Sequence, residues 1–203
     1  MKPKLSLGIA MLGIFIPLII CQSMNMLIRY IIIPTDIDLY LEYASEFSFL
    51  FWFVEILRLF CIGQSLFIKD TFFSVIGKVF GALAILLYII GNLASLLSFN
   101  VELMYIAKGL IFILMWLTII LYMLFCKAWI PIKIAGVIAI IPIFAGNIMS
   151  IVLNGFMSDA MYEYGETITT VSSAISWCTL ILSIFPVALT IIWMLRKEPE
   201  KIN

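Results

Sequence analysis

Lys78–Ser95 (KVFGALAILLYIIGNLAS) and Lys133–Ser150 (KIAGVIAIIPIFAGNIMS) read as one stretch written twice. Both fit K-x-x-G-x-x-A-I-x-x-x-x-x-G-N-x-x-S, seven identities over eighteen positions in otherwise interchangeable aliphatic sequence. The pattern predicts a duplicated membrane-crossing helix. Its lysine marks one boundary, and its Gly81, Ala84, Gly91 and Gly136, Ala139, Gly146 form small faces that let neighbouring backbones approach. An Asn/Ser pair is carried deep into the span in both copies.

The rest of the chain agrees with that solvent. It is 65% hydrophobic and 12% charged, with no histidine, where a soluble domain carries about a quarter charged residues. Six apolar runs, about 5–28, 47–68, 79–98, 109–126, 134–154 and 168–194, each approach the roughly 20 residues that a spanning helix needs. The connections are too short for a second domain. Residues 1–203 therefore read as a single all-α membrane domain of six transmembrane helices.

Charge sets the expected orientation. Nine of the twelve Lys/Arg lie in segments 1–4, 69–78, 127–133 and 195–203, whereas the three other connections hold only Arg29 and Lys108. The positive-inside rule places both termini in the cytoplasm. Asp36, Asp38, Glu42, Glu46, Glu102, Asp159, Glu163 and Glu166 fall on the opposite side. Lys2 and Lys4 before an apolar run resemble the start of a signal peptide, but no small-x-small cleavage site follows, so the run is expected to stay as the first helix. Cys21, Cys61, Cys126 and Cys178 each stand alone on a different predicted helix and read as small packing residues.

The repeat extends beyond two helices. At an offset of 125, Pro17 falls on Pro142, Gln22 on Asn147, Asn25 on Ser150, Asp38 on Glu163 and Trp52 on Trp177. Trp116-x-Thr118-x-Ile120-Leu121 matches Trp177-x-Thr179-x-Ile181-Leu182. The expected architecture is three parallel helical hairpins, about 5–68, 79–126 and 134–194, around a pseudo-threefold axis. Pro17, Pro142 and Pro186 predict kinks. Thr35-x-x-Asp38 resembles a capping box and predicts a short surface helix before the second span.

Depth counting selects candidate site residues. Asn92 and Asn147 each lie fourteen residues past their lysine, and Glu55 lies fourteen from Lys69; at the helical rise, all three sit roughly 21 Å from the cytoplasmic boundary. Ser183 comes to about the same level, counted from Arg196. Gln22 and Asn25 sit somewhat higher, and Arg58 one turn lower than Glu55. Charges in hydrocarbon are functional candidates because they cost at least about 2.5 kcal/mol on insertion scales. Glu55 and Arg58, three apart, pair along one helix face. Two readings of them stand: a structural ion pair that pins the helix, or a wet site in which Arg58 holds an anionic group. For the Asn/Ser layer the alternatives are interhelical hydrogen bonding and pocket lining.

Catalysis has little support. Without histidine the chain lacks the commonest general base and metal ligand, and it carries no P-loop, dinucleotide fingerprint, paired-cysteine motif or other metal-ligand spacing. No cofactor, metal or nucleic-acid partner is expected, and nothing fixes an oligomeric state. From Trp116 through Lys127, Pro131 and Gly136 to Asn147, and again from Pro186 to Arg196, the chain resembles a bacterial family of six-helix membrane proteins described as a domain of unknown function. The resemblance implies a six-helix fold and brings no activity, ligand or catalytic residue.

The sequence thus favours a binding or transport protein of a bacterial-type plasma membrane, surrounded by membrane lipids. Its expected feature is an outward-opening polar pocket for a small molecule or lipid, built from Glu55, Arg58, Asn92, Asn147, Ser183, Gln22 and Asn25. The alternative is a structural or accessory subunit whose polar layer only packs helices.

Overall fold

A chain in lipid must satisfy every backbone N–H and C=O within itself, so each apolar run folds as an unbroken helix that overruns its hydrophobic window. The structure, a computed structural model, describes residues 3–35, 38, 42–68, 75–97, 101–153 and 165–196. Its long helices are α1 Pro3–Leu27, α2 Ala44–Leu66, α3 Val75–Leu97, α4 Val101–Phe125, α5 Ile130–Ile151 and α6 Gly165–Leu195. All six are long and apolar enough to cross a membrane. The largest shift from the sequence reading is at α4, which starts at Val101 rather than near 109, because Glu102 and Lys108 lower hydropathy without interrupting the helix.

At its far end α1 continues through a π-helical turn, Ile28–Ile32, into a last turn, Ile33–Thr35. This changes the reading of Thr35. Its hydroxyl donates back to the carbonyls of Ile31 and Ile32, so Thr35 closes the last turn of the first helix. The surface helix expected after it falls largely outside the described residues.

Pro17, Pro142 and Pro186 all lie inside continuous helices. The tight turn from α4 to α5 is closed by local donors. The Cys126 thiol donates to the Met123 carbonyl at 2.9 Å, and the Lys133 ammonium donates to the Leu124 carbonyl at 2.9 Å, satisfying carbonyls that a helix C-terminus leaves unpaired. Pro131 at the start of α5 has no N–H to leave unpaired there.

The helices pack in sequence order into a closed ring, each against its neighbours and α6 back against α1. Large apolar side chains such as Phe60, Phe67, Leu110, Ile141 and Phe185 point outward, as a lipid-facing surface requires. From the termini to mid-depth the interior is solid. Leu7, Met11 and Phe15 of α1, Ile62 of α2, Tyr122 and Met123 of α4 and Ile132 of α5 are at most 1% exposed. Glycine sets how closely this core closes. A Cβ at Gly81 would stand 2.8 Å from Leu66 Cδ2 and 2.9 Å from the Tyr122 ring, and one at Gly136 would stand 2.9 Å from the Phe15 ring. These are the glycines of the duplicated stretch, and both sit where side chains from two other helices meet.

Polar contacts tie the termini end together. Lys4 Nζ donates to the Arg196 carbonyl at 2.5 Å and lies 5.6 Å from the Trp193 ring centroid, while Arg196 lies 5.3 Å from that of Trp129. Trp129 and Trp193 thus hold the cations that join α1, α6 and the α4–α5 turn. Deeper in, Ser6 bonds to the Gln64 side chain and Gln64 Nε2 donates to the Ser6 carbonyl at 2.8 Å, linking α1 to α2. Ser65 and Tyr122 share a 2.5 Å hydrogen bond between α2 and α4.

Candidate functional site

Three residues apart on α2, Glu55 and Arg58 share a helix face, and Arg58 Nη1 donates to Glu55 Oε2 at 2.7 Å. The other carboxylate oxygen of Glu55 accepts from the Cys21 thiol of α1 at 3.9 Å. Trp116 of α4 lies against the guanidinium, with its ring centroid 4.9 Å from Cζ. The pair is unequal in its exposure: the Arg58 side chain is 3% exposed and that of Glu55 22%. Moreover, Arg58 Nε and Nη2 are buried and meet no acceptor among the described residues. A buried donor without an acceptor costs about 1–3 kcal/mol, and more when it carries charge.

Both residues line a cavity of about 660 Å³ in the half of the bundle away from the termini, and all six helices contribute to its wall. It is bounded by the second halves of α1, α3 and α5, the first half of α6, and the stretches 51–58 of α2 and 108–116 of α4. Of the seven residues singled out from sequence, Gln22, Asn25, Glu55, Arg58, Asn92 and Asn147 line it. Ser183 does not. It is fully buried and its hydroxyl meets no acceptor; Thr179, one turn nearer the cavity on α6, takes the lining position instead. Counting residues gives height along a helix but not the depth at which side chains close the floor.

The two duplicated asparagines make the same local bond. Asn92 Nδ2 donates to the Tyr88 carbonyl and Asn147 Nδ2 to the Ile143 carbonyl, each at 2.9 Å and each one turn back in its own helix. One N–H of the Asn147 amide is thus engaged within α5 while the side chain borders the cavity.

Several lining residues were not among those expected. Lys108 reads from sequence as a boundary lysine reaching for water, yet it is half-buried in the wall with Nζ 6.0 Å from the Phe112 ring centroid. Lys108, Phe112 and Trp116 follow one another at four-residue spacing on α4, a stripe that marks one helix face. Ser172, Ser176 and Thr179 form a similar polar stripe on α6. Arg29 sits on the π-helical turn, a geometry frequent at functional sites, and its Nη1 lies 3.4 Å from the hydroxyls of Ser172 and Ser173. A smaller recess of about 300 Å³ beside this turn shares Asn25, Arg29, Ser172 and Ser176 with the main cavity.

Chemically, the wall can hold a polar ligand through the amides, hydroxyls and cations and an apolar one through Trp52, Phe112 and Trp116. Among the described residues, no three His, Cys, Asp or Glu side chains converge as a metal site. No family model, curated protein or solved structure matches the chain.

Proposed function

We propose that this chain is a binding or transport protein of a bacterial-type plasma membrane, with both termini in the cytoplasm and the cavity opening to the outside for a small molecule or lipid. The observation that carries this reading is convergence. Six polar residues chosen by depth, from α1, α2, α3 and α5, border one cavity, and the amide of Asn147 bonds its own helix. Interhelical glue would have the amide cross to a neighbour. Three parallel hairpins account for the arrangement: the ring closes in sequence order, and its duplicated stretch presents the same Asn bond twice.

Native mass spectrometry in mild detergent tests the reading. The wild-type protein should carry a bound non-protein mass that Asn147→Leu loses while its unfolding temperature stays near that of the wild type. Identical masses on both proteins, or none on either, would count against a ligand pocket. One observation favours a structural role: the Arg58–Trp116 contact pins α2 to α4 across the ring. An accessory subunit of that kind should co-purify with a partner chain, and Asn147→Leu should then change stability alone.

A further inference from the structure

We propose that the cavity is an anion site, in which Arg58, supported by Lys108 and Arg29, holds the carboxylate or phosphate of a ligand whose apolar part lies against Trp52, Phe112 and Trp116. This rests on reading the cavity as a ligand pocket and names the chemistry it takes. The first support is the geometry of the guanidinium. Nη1 is engaged by Glu55, while Nε and Nη2, the two N–H groups along one edge of the planar group, meet no acceptor among the described residues. That edge is the fork that matches two oxygens of a carboxylate or phosphate.

The second support is charge. Among the described lining residues are three cations, Arg29, Arg58 and Lys108, and one carboxylate, Glu55, which is already paired. Neither Arg29 nor Lys108 has a carboxylate partner among the described residues; the first reaches hydroxyls and the second an aromatic face. The acidic residues Asp38, Glu42 and Glu46 are exposed and do not line the cavity. A cationic ligand would compete with Arg58 for Glu55 and face two further positive charges. The aromatic wall adds affinity for an apolar body. Trp52 lines the cavity yet is 53% exposed, so the wall there also faces the outside of the bundle. The same anionic chemistry is therefore open to a dissolved organic acid from the membrane-distal water and to an acidic lipid headgroup from the side.

Ser176→Cys, placed in the wall of a protein carrying Cys21→Ala, Cys61→Ala, Cys126→Ala and Cys178→Ala, provides the reporter. Its alkylation by N-ethylmaleimide is timed with benzoate or uncharged benzamide, and in nanodiscs of phosphatidylcholine with or without phosphatidate. Slowing by benzoate but not benzamide identifies a soluble anion; slowing by phosphatidate identifies a lipid headgroup. Either result supports the anion site. Arg58→Lys keeps the charge and loses the fork, so protection should weaken at least about tenfold, the equivalent of one charge-assisted hydrogen bond. Glu55→Gln should keep or strengthen protection, because it removes the competing carboxylate. If the reporter thiol is alkylated but neither anion protects better than its neutral counterpart, the anion site is wrong and the pocket stands. If the reporter thiol stays unreactive in the folded protein, the pocket reading itself fails.

Discussion

Glu55 and Arg58 are unequal partners, and the inequality has a measurable consequence. With 3% of Arg58 exposed against 22% of Glu55, removing the carboxylate leaves an unpaired cation at the cavity wall with little contact to water, whereas removing the cation leaves a carboxylate more open to the cavity. Glu55→Gln is expected to lower unfolding stability by about 1–3 kcal/mol, Arg58→Met to lower it less, and the double variant to be more stable than Glu55→Gln alone. Chemical unfolding in detergent micelles measures all three; equal losses for the two single variants would contradict the unequal burial. At this scale the sequence was generous with charge and silent on partners. Two charges inside an apolar run stand out by composition alone, but the Trp116 ring over Arg58 depends on how α2 and α4 face each other. Lys108 was visible as a charge near a helix end, but its place in the wall shows only in the Lys108–Phe112–Trp116 stripe.

Among the elements, the small faces of the duplicated stretch fix packing distances. Gly136→Ala brings a methyl within 2.9 Å of the Phe15 ring and 3.0 Å of Met123 Sδ; overpacking of this kind costs about 1–3 kcal/mol. Gly165→Ala meets nothing within 4 Å and should leave stability within about 0.5 kcal/mol of the wild type. Thermal unfolding of the two variants side by side separates the packing requirement from a general intolerance of alanine. The helices themselves were legible because spans in lipid announce themselves by hydropathy. Their ends were less so, since α4 takes in Glu102 and Lys108 and α1 runs on to Thr35. The π-helical turn under Arg29 has no counterpart in the sequence pattern, since Ile-Arg-Tyr-Ile-Ile-Ile over 28–33 carries no mark of helix pitch.

For the molecule as a whole, two halves of one ring differ in kind. Near the termini, Phe15, Tyr122 and Met123 close the interior, and Lys4, Trp129, Trp193 and Arg196 bind the helix ends together. Toward the far end the same six helices border the cavity. Depth counting anticipated the level at which polar groups gather, because a helix advances by a fixed rise. It misjudged the floor, and so included Ser183, because filling of the interior depends on side chains from several helices at once. The central claim is that this polar layer is wet and reached from the face opposite the termini. Asn147→Cys and Ser183→Cys, each in the cysteine-replaced protein, can be exposed to a membrane-impermeant methanethiosulfonate on either face of sealed vesicles. The account predicts rapid labelling of the Asn147→Cys thiol from the face opposite the termini only, with the Ser183→Cys thiol protected from both. A thiol at position 147 as unreactive in the folded protein as the one at position 183 would contradict it.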